Sequence, residues 1–111
     1  MALSVASTTT GDVATLTISG ELDGASAPQL RDEVEKVAGR NPKRLVLMVQ
    51  DLEYIASAGI RVLVYAKQKM GTGVDIYVVA PQAQILDTLQ KTGVDRSVYV
   101  VDKYDSASIN G

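Results

Sequence analysis

The sequence has no cysteine, histidine, tryptophan or phenylalanine. Without cysteine it can form no disulfide, iron–sulfur cluster or thiolate zinc site. Without histidine it has no His-based catalytic triad and no His-ligated haem. Five tyrosines are its only aromatic residues, so the core must be aliphatic and little is available for stacking nucleic-acid bases. Neither charge sign dominates. The 11 basic and 13 acidic side chains leave a net charge of −2, which gives no electrostatic case for nucleic acid or an anionic membrane. Long apolar runs are missing as well. None exceeds the five residues of Leu45 to Val49, where a spanning helix needs roughly 20. Met1-Ala2-Leu3-Ser4 lacks the basic segment and apolar stretch of a signal peptide, which favours a cytoplasmic location. No metal site and no cofactor are expected.

The 111 residues, 46% hydrophobic and 22% charged, fit a single globular domain over 1–111, with a polar tail from about 102 to 111. Leu3 to Ser7 alternates apolar and polar residues, Thr8 to Asp12 reads as a turn, and Val13 to Ser19 alternates again. That period predicts two strands paired as an antiparallel hairpin. Ser26, with Gln29 three residues on and Pro28 between, predicts a helix start with a capping box. Leu30, Val34 and Val37 follow at helical spacing, and Gly39 is the expected stop. Arg44 to Val49 is an unbroken apolar run, as in a strand covered on both faces, with 51–55 as its exit. A second helix is expected over 57–70, a third strand-like run over 74–80, a third helix from Pro81 to Gly93, and a last strand over 98–101. The tail is expected to carry at most one helical turn. Strand–helix alternation after a hairpin predicts an α/β fold. Its sheet is mixed but mostly parallel, of about five strands, packed against amphipathic helices.

In such sheets ligands and partners meet the loops at the carboxyl ends of the strands. Two such loops carry polar residues: Gly20-Glu21-Leu22-Asp23, and the segment from Asp51 to Gly59. Ser57 stands at a helix start. Its simplest role there is to cap a free backbone N–H. A helix start also favours negative charge, so a phosphate on Ser57 would be stabilised by the dipole and the free amides. It would also add about −1.5 to −2 charges between Ala56 and Ala58. Tyr54 and Ile55 read first as strand-exit packing. Arg61, Tyr65, Lys67 and Lys69 read as a solvated helix face or part of an interface.

These residues also carry a resemblance. The chain resembles the STAS-domain anti-sigma factor antagonists of the SpoIIAA/RsbV type over roughly Leu3 to Val101. Gly20-Glu21-Leu22-Asp23 is similar to that family's G-E-[LI]-D segment. Asp51-Leu52-Glu53-Tyr54-Ile55, followed by Ser57 and Gly59, is similar to the stretch entering its phosphorylated loop. Thr92-Gly93-Val94 is similar to its late S/T-G-[LVI] element. The family loop commonly reads D-S-[ST]-G, where this chain has Ala56-Ser57-Ala58-Gly59. Ser57 is therefore the only hydroxyl in the loop.

The resemblance implies a STAS fold and a protein-binding switch that is not an enzyme. Unphosphorylated, the chain would sequester an anti-sigma factor or switch kinase of the histidine-kinase-like ATPase fold. Phosphorylated on Ser57, it would be released, and a PP2C-type serine phosphatase would reset it. ATP and Mg²⁺ would belong to the partner. The implied partner-binding residues are Glu21, Asp23, Tyr54, Ile55, Ala56, Ser57, Ala58, Gly59 and Arg61. A non-switching scaffold of the same fold is the alternative. A phospho-aspartate receiver centred on Asp51 would need an acidic pair after its first strand and would lack the opening hairpin. A serine hydrolase centred on Ser57 would need a base and a G-x-S-x-G elbow, and the sequence has neither histidine nor that elbow.

Overall fold

In the computed structural model, which describes residues 2–103, the chain opens with a hairpin of β1 (Ser4–Thr10) and β2 (Val13–Leu22). Their antiparallel register runs unbroken from Ser4 opposite Ser19 to Thr10 opposite Val13. The expected turn over 8–12 shrinks to Gly11-Asp12. Threonine is β-branched and suits a strand, so Thr8 to Thr10 extend β1. Gly11, at φ +59°, supplies the left-handed residue that a two-residue hairpin turn needs.

The remaining elements are α1 (Ala27–Ala38), β3 (Arg44–Ile55), α2 (Ser57–Met70), β4 (Asp75–Val79), α3 (Ala83–Thr92), a short 3₁₀ turn (Val94–Arg96) and β5 (Tyr99–Val101). The sheet order is β1-β2-β3-β4-β5. Only the β1–β2 pair is antiparallel; the other three are parallel. Right-handed crossovers between successive strands in that order place all three helices on one face. The main core lies there. Ala14, Leu16 and Ile18 of β2 and Leu45 and Leu47 of β3 pack with Leu30, Val34, Ile60, Ile85 and Leu89 of the helices. On the opposite face Val46 and Val79 are buried among Val13, Met48, Tyr77 and Val101, and the Tyr77 and Tyr99 rings stack at 5.0 Å. The unbroken apolar run of β3 thus serves both faces.

Both ends of α1 differ in detail from expectation. Ser26 makes no side-chain cap bond to α1. The helix start is instead held by the Asp23 carbonyl, which accepts from the Ser26 and Ala27 amides at 3.2 and 2.8 Å. Gln29 forms no capping box; its Nε2 donates to the Leu3 carbonyl at 3.3 Å and ties α1 to the chain before β1. Gly39 keeps a right-handed conformation (φ −64°), and the left-handed residue that turns the chain is Asn41 (φ +52°). Gly93 ends α3 as expected, at φ +78°. The helical turn expected in the tail falls at 104–111, outside the described residues.

The largest difference positions the functional site. β2 and β3 do not end at Ser19 and Val49 but run on to Leu22 and Ile55. They stay paired across register shifts at Thr17/Ser19 and Gly20/Glu21. These irregularities break the two-residue alternation, so Leu52 and Ile55, three apart, both reach the core although the stretch reads as a loop.

Candidate functional site

The β2–β3 ladder closes with Leu22 opposite Ile55. Immediately beyond, the Ala56 amide donates to the Leu22 carbonyl at 2.8 Å. The two polar loops singled out in the sequence therefore leave the sheet side by side, Asp23 from one strand and Ser57 from its neighbour. Two glycines make this possible. Gly20 has φ +91°, and a Cβ there would run into the Ala2 carbonyl. Gly59, buried in the first turn of α2, lies so close to the strand ends that a Cβ would sit 2.6 Å from Leu22 Cγ and 2.9 Å from Ile55 Cγ1. Only glycine lets α2 begin this near the sheet.

Ser57 does not cap α2. The capping position belongs to Ala56, in extended conformation (φ −94°, ψ 173°), whose carbonyl accepts from the Gly59 and Ile60 amides at 2.9 and 3.1 Å. Ser57 is the first helical residue. It is exposed, and its hydroxyl makes no hydrogen bond with any described residue. An alanine at the cap leaves the helix-start amides without a side-chain acceptor, beside a free hydroxyl.

Asp23 is more occupied than its sequence position suggests. Its Oδ1 accepts from the Ala25 and Ser26 amides, both at 3.0 Å, and lies 3.0 Å from the Ser26 hydroxyl. Ser26 Oγ is also 2.9 Å from the Glu21 carbonyl and accepts from the Asp23 amide at 2.9 Å. The Ser26 hydroxyl and then its amide hold the Asp23 carboxyl below the ordinary carboxylate range. The loop is thus a closed local network with one carboxylate at its centre. Ser26 was legible in the sequence only as a helix cap. Its role as partner to Asp23 follows from a turn three residues long, a pattern that D-x-x-S could have signalled.

The other expected interface residues divide by burial. Ile55 and Gly59 are buried and shape the loop from beneath. Glu21, Ala56 and Ala58 are half-buried, while Tyr54, Ser57 and Arg61 are exposed, Tyr54 by 51%. Arg61 lies one helical turn after Ser57. It borders a groove of about 360 Å³ between α1 and α2, floored by Ala27, Pro28, Ala58 and Val62. Arg31 and Tyr65 complete the wall. The Arg31 guanidinium carbon sits 4.3 Å over the Tyr65 ring, its Nε 3.5 Å from Glu35 Oε1, and the Tyr65 hydroxyl donates to that same oxygen at 2.8 Å. That hydrogen bond is the main cause lowering the Glu35 pKa and raising that of Tyr65. The Arg31–Glu35 spacing of four on α1 was readable as a helix pair; the contact with Tyr65 comes from helix packing.

A larger hollow of about 440 Å³ opens at the opposite end of the sheet, beside Asp12 and Lys43, away from both loops. Among the described residues no cluster of three or more metal-ligating side chains exists, and no helix is long and apolar enough to cross a membrane.

Paired strand ends, a glycine-seated helix and an exposed serine thus meet at one end of the sheet of an α/β frame. Residues 4–107 match the STAS domain family, and the chain belongs to it. It is 31% identical over 85 residues to the anti-sigma-F factor antagonist RsfB of Mycobacterium tuberculosis (strain H37Rv), covering 77% of this chain and 70% of that one. Its fold is similar to the crystal structure of an anti-sigma factor antagonist from Mycobacterium paratuberculosis, with TM-score 0.88 at 24% identity over 98% of this chain and 93% of the other. It is also similar to the antagonist SpoIIAA in its unphosphorylated form, with TM-score 0.80 at 15% identity over 98% and 94%. The phosphorylated form of SpoIIAA, from Bacillus, gives TM-score 0.73 at 14% identity over 98% and 97%.

Proposed function

We propose that the chain is an anti-sigma factor antagonist whose binding is controlled at Ser57. It is a ligand and substrate, not an enzyme. Unphosphorylated, it binds an anti-sigma factor or switch kinase of the histidine-kinase-like ATPase fold through the surface of Glu21, Asp23, Tyr54, Ala56, Ser57, Ala58 and Arg61, with Ile55 and Gly59 setting its shape. The observation that carries this reading is the Ser57 hydroxyl, exposed and unbonded at the start of α2 beside the Asp23 loop. The 31% identity to a protein named as an anti-sigma-F factor antagonist supports it.

A phosphate on Ser57 is tolerated by the free chain, because the helix dipole and open amides favour it. In a complex the same dianion sits between half-buried alanines with no water to solvate it, and its burial opposes binding. A PP2C-type phosphatase restores the binding form.

The test is incubation with ATP and the histidine-kinase-like ATPase encoded nearest this gene, followed by mass spectrometry. One added phosphate, absent from Ser57→Ala, is expected. Ala56 and Ala58 favour a second reading, a scaffold of the same fold that binds without switching. Tight binding to that ATPase with no phosphate on Ser57 would select it.

A further inference from the structure

In the proposed switch Arg61 is one contact among several, with no part in holding the phosphate. It is exposed, and among the described residues it forms no ion pair or hydrogen bond. Its neighbour across the groove, Arg31, is already committed to Glu35 and to the Tyr65 ring. Lys67 and Lys69 lie in the last turn of α2, too far along the helix to reach its start. Ser57 is the first residue of α2 and Arg61 the fifth, and residues four apart share a helix face, with Cβ atoms about 5–6 Å apart. A guanidinium presents a planar fork of donors suited to phosphate oxygens.

Resting on the reading that Ser57 carries the phosphate, we infer that Arg61 is its counter-ion in cis, pairing with the phosphate across one turn of α2. The pair holds the phosphate over the helix start and keeps it fully dianionic at neutral pH, since a phosphoserine otherwise titrates near 6. The charged groups on neighbouring elements are Glu21 at the end of β2, Asp23 on the β2–α1 loop, Glu53 on β3 and Arg31 on α1. Removing the Arg61 charge takes away a cation that favours the dianion, so without it the titration moves up.

The experiment uses the full chain with phosphoserine incorporated at position 57 during translation, so no kinase or partner is needed. The phosphate is titrated by ³¹P NMR. In the unmutated background its midpoint is expected to lie roughly half a pH unit below that in Arg61→Gln, the size set by unit charges about 5 Å apart in a water-like dielectric. Arg61→Lys should keep most of the lowering, and 1 M NaCl should erase the difference by screening. Equal midpoints in the unmutated background and in Arg61→Gln, or a lowering lost in Arg31→Gln and kept in Arg61→Gln, would overturn the assignment. The phosphate is built in, so a kinase that ignores Ser57 defeats the proposed function while this titration still reports on Arg61.

Discussion

The Ala56 amide donates to the Leu22 carbonyl at 2.8 Å, and this bond joins the two strand ends from which the site is built. It fixes where Asp23 leaves β2 and where Ser57 enters α2. The Leu22 side chain, 1% exposed, then fills the space under Gly59. A core residue and a glycine thus set the height of the serine above the sheet.

Gly59→Ala tests that packing. The new methyl group would overlap Leu22 and Ile55 side chains, and overpacking of this kind costs about 1–3 kcal/mol. Urea unfolding should show a lower midpoint. In a Leu22→Ala background, itself destabilised by about 2–5 kcal/mol, the added cost of Gly59→Ala should shrink. Additive costs would show that the two side chains do not compete for one space.

Asp23→Asn separates charge from loop geometry. Asparagine keeps an oxygen able to accept from the Ala25 and Ser26 amides, so the unfolding midpoint should change little. Phosphorylation of Ser57 by the cognate ATPase should slow, because the charge beside the loop is gone. An equal loss of stability and phosphorylation would make Asp23 purely structural.

The pH dependence of the loop has a definite sign. The Asp23 pKa is lowered in the folded chain, chiefly by the Ser26 hydroxyl. Its contribution to stability is present above the ordinary carboxylate pKa and is lost as pH falls through the lowered folded value. NMR titration of the carboxyl should therefore give a midpoint below the ordinary 3.8, rising toward it in Ser26→Ala. No change in that variant would assign the lowering to the backbone amides instead.

Much of this was legible in the sequence, for identifiable reasons. Element order followed from clean periodicities, and α2 has the expected bounds because Ser57 and Met70 bracket an unbroken helical pattern. The pairing of Gly20-Glu21-Leu22 with the 51–55 stretch was not legible, since its register shifts destroy the alternation that marks a strand. Ser57 stood out by position and resemblance. That Ala56, not Ser57, occupies the capping position is a one-residue shift that only backbone geometry decides. The Arg31–Tyr65 contact depends on how α1 and α2 pack and leaves no trace in either helix alone.

Charge at position 57 should control binding. Ser57→Asp is expected to weaken association with the cognate ATPase, and Ser57→Ala to leave it bound even with ATP present. Titration calorimetry of both variants reads this directly, and an aspartate variant that binds as tightly as the unmutated chain would remove the electrostatic basis of release.

The most direct test compares one partner against two forms of this chain, with serine or with phosphoserine at position 57, by measuring Kd for the cognate ATPase at physiological salt. The phosphorylated form is expected to bind more weakly by roughly 10- to 1,000-fold, the cost of stripping water from a phosphate dianion at an interface. Equal affinities would contradict it and leave the chain a scaffold that binds without switching.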